Sequence, residues 1–243
     1  MNNEIYNEEF HIGRDKMTRH SANKILQILD DITPISSCVD VGGGIGVWID
    51  EFMKLNNCPK DCLANCVDGS YVTENILVID KDRFIPRDLE QRLKLDNRYD
   101  LAISLEVAEH LPESRARSFV EDLISLSDCV LFSAATIGQT GVGHINEQYM
   151  KYWVDLFEQS GFQPFDVVRP MIQEDDNIPW WYKQNIMVFV NKERNDLINC
   201  FMNVHTPPLT HMVWNEIFTT TCFREPVKGI NNKLRKIWEI IKE

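Results

Sequence analysis

Long apolar runs are missing from this chain. No stretch approaches the roughly 18 uninterrupted apolar residues of a membrane-crossing helix, and no secretory-leader pattern is present. A cytoplasmic protein without stable membrane insertion is the expectation. Basic charge is scarce too. There are 25 Lys and Arg against 37 Asp and Glu, a net charge of −12. Such a surface repels phosphate backbones, so no nucleic-acid partner is expected. The seven cysteines lack zinc-binding pairs. Cys58, Cys62 and Cys66 follow C-x3-C-x3-C with no second pair, unlike usual zinc or iron–sulfur spacings. Reduced thiols and no metal are therefore expected.

What is present is enough for one substantial core: 243 residues, 44% of them apolar. Residues 1–16 are polar, and a helical apolar stripe runs over 17–31 through Ala22, Ile25, Leu26 and Leu29. Strands are expected at 37–41, 64–68 and 83–85, then at 99–105, 129–134, 163–169 and 185–191. Helices are expected at 46–56, 115–126 and 147–160, and residues 70–83 read as loop. The alternation argues for an α/β fold with a mostly parallel sheet. After 195 it stops, and the remainder reads as a helical appendage. Residues 228–243 interleave five basic and two acidic side chains with Ile230, Leu234, Ile237, Trp238 and Ile241. Such a helix most often docks on its own domain, although it also suits an anionic membrane surface.

The densest signal is Val39-Asp40-Val41-Gly42-Gly43-Gly44-Ile45-Gly46. An apolar lead-in, a glycine turn and a resumed helical spacing make a nucleotide-sized cradle that backbone can approach closely. The dinucleotide pattern G-x-G-x-x-G needs a glycine at 47 or 49, where Val47 and Ile49 stand. That departure weighs against a nicotinamide oxidoreductase. Polar groups then mark successive strand ends. Asp68 ends the second strand, where a carboxylate can accept two ribose hydroxyls, with Asp80 as its competitor. Asp88 follows the third strand, near where an adenine amino group would lie. The fourth strand runs into Ser104-Leu105-Glu106-Val107-Ala108-Glu109-His110-Leu111.

D-x-G-x-G-x-G resembles motif I of the class I S-adenosylmethionine-dependent methyltransferases. The Ser104–Leu111 stretch is similar to motif IV of their small-molecule members. The region 130–161, with His144-Ile145-Asn146-Glu147, resembles a bacterial subset that tailors glycans and natural products. The resemblance covers residues 35–191. It implies a Rossmann-like, doubly wound seven-stranded sheet with an antiparallel edge strand. It implies a cofactor-binding methyltransferase domain at 35–192, between a helical segment at 1–34 and the appendage at 193–243. S-adenosylmethionine is the implied cofactor, held by Asp40, Gly42, Gly44, Asp68, Asp88 and Leu105. The family often has Cys or Ser where Gly43 stands, a difference read as neutral. No Asn-Pro-Pro-Tyr motif and no evident carboxylate set for a divalent metal appear, which leans toward metal-independent O-methylation of a small polar acceptor such as a sugar. A catalytically silent binding subunit is the alternative.

Methyl transfer to an alkyl hydroxyl needs close positioning and a base. His144 is the first candidate, with Glu147 as a partner for its imidazole. His110 and Glu106 are the others. Glu109 reads as a first-turn acid at a helix start. Trp180, Trp181 and Tyr182 read as core aromatics, or as a lid or sugar-stacking surface.

Overall fold

The computed structural model describes residues 8–56 and 58–205. Seven strands form one sheet: β1 Cys38–Val41, β2 Ala64–Asp68, β3 Phe84–Pro86, β4 Leu101–Leu105, β5 Cys129–Ser133, β6 Phe162–Phe165 and β7 Met187–Asn191. The helices are α1 Glu8–Ile32, α2 Val47–Phe52, α3 Ala116–Leu126, α4 Met150–Gln159, α5 Arg169–Ile172, α6 Trp180–Asn185 and α7 Asn195–Met202. The strand order is β3-β2-β1-β4-β5-β7-β6. β1 pairs in parallel with both β2 and β4, and successive crossovers leave β1 in opposite directions. The break between β1 and β4 is the switch point of the sheet, where a crevice opens at the carboxyl ends of the strands.

Both faces of the sheet are covered, which is why its strands read as near-continuous apolar runs. Cys38, Cys66, Leu101, Ile103, Leu131 and Val188 face one core, with Ile25, Leu26, Leu29, Ile49 and Phe52 of α1 and α2. Val39, Val41, Ala102, Val130, Phe132 and Phe189 face the other, with Phe119 and Leu123 of α3 and Trp153 and Phe157 of α4. The alternation along each strand is the two-residue period of the pleat.

The Rossmann-like sheet expected from the sequence is present, with several boundaries moved. The antiparallel strand is β7, which lies between β5 and β6 rather than on the edge. Strand order is a property of long-range pairing, and alternation along the chain does not contain it. β6 takes the edge, which accommodates Pro164 and its missing N–H. That strand stops at Phe165 rather than 169, and Pro170 then sits in the first turn of α5. α1 starts at Glu8, well before the apolar stripe. α4 starts at Met150, because the chain through Glu147 is held by the loop before it. Residues 70–83 contain two short 3-10 turns, Glu74–Ile76 and Lys81–Arg83. Of the appendage, α7 falls among the described residues. Residues 206–243, including Cys222 and the basic segment at 228–243, lie outside them. Among the described residues no helix is long and apolar enough to cross a membrane.

A buried ion pair fixes the stretch between β3 and β4 to α3. Arg115 donates to the carbonyls of Leu89 (3.2 Å) and Gln91 (2.7 Å) and pairs with Asp122. Asp122 also accepts the Leu93 N–H at 2.8 Å and pairs with Arg92 at 2.9 Å. Leu89 lines the cleft described below, so this network sets one of its walls. Asp122→Ala leaves the Arg115 guanidinium buried without its carboxylate. It should cost about 3–5 kcal/mol of stability, read from denaturant unfolding. A loss below about 1 kcal/mol would show that the network carries little of the fold.

Candidate active site

The glycine turn at the end of β1 adopts backbone conformations that side chains resist. Gly42, Gly44 and Gly46 have φ of +85°, +56° and +90°. A Cβ on Gly42 would lie 2.3 Å from Val107 Cγ2, and one on Gly46 would lie 2.7 Å from Ile79 Cδ1. Gly43 is not a neutral position either. A Cβ there would sit 2.4 Å from Asp40 Oδ2 and 2.7 Å from Cys66 Sγ. In this loop geometry, Cys or Ser at 43 would collide with the carboxylate beneath it.

Two amides of the turn bond within the protein. The Gly42 N–H donates to the Val67 carbonyl (2.7 Å), and the Gly44 N–H donates to Asp68 Oδ2 (2.7 Å). Both amides are used within the fold, so the loop offers shape and close backbone approach rather than these two donors. Asp68 also accepts the Gly69 N–H at 2.6 Å and the hydroxyl of Tyr71. It thereby ties the first glycine turn to the second strand end.

The cleft at the switch point has a volume of about 460 Å³. Asp40, Gly42, Gly44, Asp68, Leu105, Glu106, His110 and His144 all line it. Asp88 does not. It is exposed, its Oδ1 accepts the Glu90 N–H at 3.0 Å, and it lines a neighbouring hollow that shares Asp68, Tyr71 and Leu89 with the cleft. Asp80 is exposed ahead of the second 3-10 turn and lines neither. Short β3 ends at Pro86, which leaves Asp88 beyond the strand on the outer side of Tyr71.

Asp40 is buried, and its Oδ2 has no hydrogen-bond partner. Burial, reinforced by the nearby Asp68, pushes its carboxyl up to about 8. An acid at the floor of a cleft with an unmet acceptor is suited to a cationic or hydrogen-bond-donating ligand.

Across the cleft, the end of β4 presents a second polar group. Glu106 has φ +56°, a left-handed conformation uncommon outside glycine and typical of functional sites. Its carboxylate accepts Gln139 Nε2 at 2.7 Å and Asn185 Nδ2 at 3.2 Å. Burial raises its pKa, and those hydrogen bonds act against the rise. Glu109 is fully buried, and neither carboxylate oxygen meets a hydrogen-bond donor in good geometry. Burial, then the charge of Glu106, holds its pKa well above the usual carboxylate range. The first-turn acid expected at a helix start is instead buried in a 3-10 turn. The residues form a 3-10 turn, Ala108–His110, that points Glu109 inward.

The loop after β5 delivers His144 to this group. The Glu109 carbonyl accepts the N–H groups of Ile145 (2.9 Å) and Asn146 (3.0 Å), and His110 Nδ1 donates to the Gly143 carbonyl at 3.2 Å. His144 Nδ1 meets Glu147 Oε1 at 2.8 Å, while Glu147 Oε2 accepts the Gly138 N–H at 2.8 Å. The two imidazoles pack edge to face with centroids 4.9 Å apart.

Sequence reading missed Gln139, Asn185, Glu109 as a site group, and Met17 and Thr18 of α1, which close one end of the cleft. Only the E-x-x-E-H spacing around Glu109 carried a local signal. The aromatic run divides its work. Tyr182 is buried and packs edge to face on Trp48 at 5.9 Å, while Trp180 and Trp181 are half-buried in the cleft wall.

Strand order, switch-point cleft and glycine turn together make the fold of the class I S-adenosylmethionine-dependent methyltransferases. Comparison with solved structures agrees. The chain is similar to an O-methyltransferase family protein from Burkholderia thailandensis, with TM-score 0.54 and 8% identity over 75% of this chain. It spans 58% of that protein's length. It is similar to the methyltransferase domain of bacterial CtHen1-C, with TM-score 0.51 and 18% identity over 72% of this chain and 98% of that one. It also resembles magnesium protoporphyrin IX methyltransferase from Synechocystis PCC 6803, solved with bound SAH, with TM-score 0.50 and 18% identity over 74% of this chain and 87% of that one. At these identities the likeness is one of fold. No family model matches the sequence, and no curated protein matches it.

The Asp40 site has a stability signature. A folded-state pKa raised from 3.8 to about 8 means that the folded protein keeps a proton the unfolded chain releases. Stability contributed by neutral Asp40 is therefore lost as pH rises from about 4 to about 8. Asp40→Asn should remove that loss. The melting temperature of the variant relative to wild type is expected to climb between pH 5 and pH 8, by at least about 3 °C. Parallel melting curves across that range would mean that Asp40 is already ionised in the fold.

Proposed function

We propose that this chain is an S-adenosylmethionine-dependent methyltransferase acting on an oxygen of a small polar acceptor, a sugar or phosphorylated sugar in particular. The observation that carries the reading is the glycine cradle at the switch point, with an acceptor oxygen on Asp40 that no protein donor meets. The absent side chains at Gly42 and Gly43 let the turn lie directly on Val107 and Asp40 at the edge of the cleft, and the unmet Asp40 oxygen suits the ligand's ammonium. Asp40, Gly42, Gly44 and Leu105 would border the amino-acid half of the cofactor, and Asp68 the ribose. Asp88, on the outer hollow, would reach only the adenine. When bound, the cofactor supplies a methyl group already activated by its sulfonium.

The acceptor then lies on the β4 side of the cleft. Glu106, His110 and His144 are the residues able to orient a hydroxyl and take its proton there. Glu147 holds the His144 imidazole by Nδ1 in one orientation, which is how a positioned base is kept ready. Trp180 and Trp181 offer flat apolar surface beside this polar group, the combination that packs on a sugar ring. The net charge of −12 disfavours a nucleic-acid acceptor. An oxygen acceptor is further supported by two neighbours of this fold, the Burkholderia O-methyltransferase family protein and the mitomycin 7-O-methyltransferase MmcR.

Calorimetry with S-adenosylhomocysteine tests the cofactor, and a labelled methyl donor over a panel of sugar nucleotides and sugar phosphates tests the acceptor. The wild type should bind and turn over. Asp68→Asn should weaken binding by about 1–3 kcal/mol. His144→Ala should keep cofactor affinity within about twofold and lose about 100-fold or more in turnover. No binding would remove the cofactor assignment. Binding without transfer to any oxygen acceptor would leave a silent binding subunit.

A further inference from the structure

We propose that Glu109, His110 and His144 form a binding site for one divalent first-row transition-metal ion, on the acceptor side of the cleft. A carboxylate oxygen of Glu109 and one ring nitrogen from each histidine lie within 4.8 Å of one another. Donor atoms on a single cation stand about 3–4 Å apart for bonds of about 2.1 Å. A small rotation of the two side-chain imidazoles closes the difference. Neither the cysteine spacing nor a carboxylate set marks this site along the chain. The ligands come from two loops 34 residues apart, joined by the Glu109 carbonyl that pins Ile145 and Asn146.

Two further observations point to a ligand. Glu109 is fully buried in a wall of the cleft, with neither carboxylate oxygen satisfied. Such a group is costly unless a positive partner meets it. Each histidine also has a polar partner on Nδ1, as ligating imidazoles do. His110 Nδ1 donates to the Gly143 carbonyl, and His144 Nδ1 donates to Glu147, which places the lone pair of each ring on Nε2. Outer partners of this kind fix the tautomer and orientation of ligating imidazoles. Two imidazoles with one carboxylate favour zinc, iron, cobalt or manganese over magnesium or calcium. Glu106 and Glu147 flank the group, so added positive charge is also favoured by its surroundings.

Only the role of the ion rests on the methyltransferase reading. There it would hold the acceptor oxygen. His144 would then give its lone pair to the metal, and Glu106, which lines the same cleft, would take the acceptor's proton.

The test is titration of the metal-stripped full chain with Co2+, read by visible d–d absorption, with Zn2+ competition and S-adenosylhomocysteine calorimetry in parallel. The expected result is one Co2+ per chain, displaced by Zn2+. Glu109→Gln and His144→Ala should each weaken it at least tenfold, while the surface variant His20→Ala leaves it unchanged. Glu109→Gln keeps the side-chain volume, and retained cooperative thermal unfolding confirms that it folds. Absence of a Co2+ spectrum in the wild type, or equal affinity in folded Glu109→Gln, overturns the site. S-adenosylhomocysteine binding without Co2+ binding defeats this inference and leaves the function standing. Co2+ binding without S-adenosylhomocysteine binding supports the site and defeats the function.

Discussion

The close contact between the ends of β1 and β4 governs the rest of the structure. Gly42 lies against Val107 so tightly that a single methyl would stand 2.3 Å from Val107 Cγ2. That contact packs the turn after β1 directly on the segment that follows β4, its hydrogen-bonded parallel neighbour. It places Asp40 beneath the turn on one side and starts the Glu106–His110 segment on the other. The positive φ of Gly42 and that of Glu106 are the two backbone departures that flank it. Glycine carries the first without strain. Glu106 carries the second with its N–H donated to the carbonyl and hydroxyl of Ser133 and its carboxylate held by Gln139 and Asn185.

Two buried carboxyls distinguish the two halves of the cleft. Asp40 Oδ2 and both oxygens of Glu109 meet no hydrogen-bond donor in good geometry, and burial drives both carboxyls upward from the ordinary range. Elsewhere the same chain satisfies its buried charge fully, as Asp122 shows with Arg115, Arg92 and the Leu93 amide. Among the described residues, a fold that pairs Asp122 so completely yet leaves Asp40 Oδ2 and Glu109 unmet places both of those carboxyls in one crevice. Desolvated, unpartnered groups in a cleft are where ligands and chemistry are found.

Much of this was legible in the sequence because it depends on local pattern. The glycine spacing after Asp40 marked the turn, since only glycine accepts φ near +90° beside Ile79. The apolar runs at 37–41, 99–105 and 129–134 marked the buried strands β1, β4 and β5. The offset of three between His144 and Glu147 marked their contact, which measures 2.8 Å. What the sequence could not carry was anything set by long-range pairing. The place of β7 between β5 and β6, the reach of α1 over the cleft, and the convergence of Gln139 and Asn185 on Glu106 are contacts between distant segments.

Asp88 and Glu109 show the division most clearly. Both are acids just past a strand, and by position the first looked like a ligand contact and the second like a first-turn acid at a helix start. β3 ends at Pro86, which leaves Asp88 exposed on the outer hollow, while a 3-10 turn after β4 drives Glu109 into the wall of the cleft. The sequence by itself determined the glycine cradle, the alternation and the identity of the polar groups at strand ends, because backbone conformation and burial period are local. Only the tertiary structure decided which of those groups meet and which remain unpaired, because partnership and desolvation depend on what the rest of the chain packs against them.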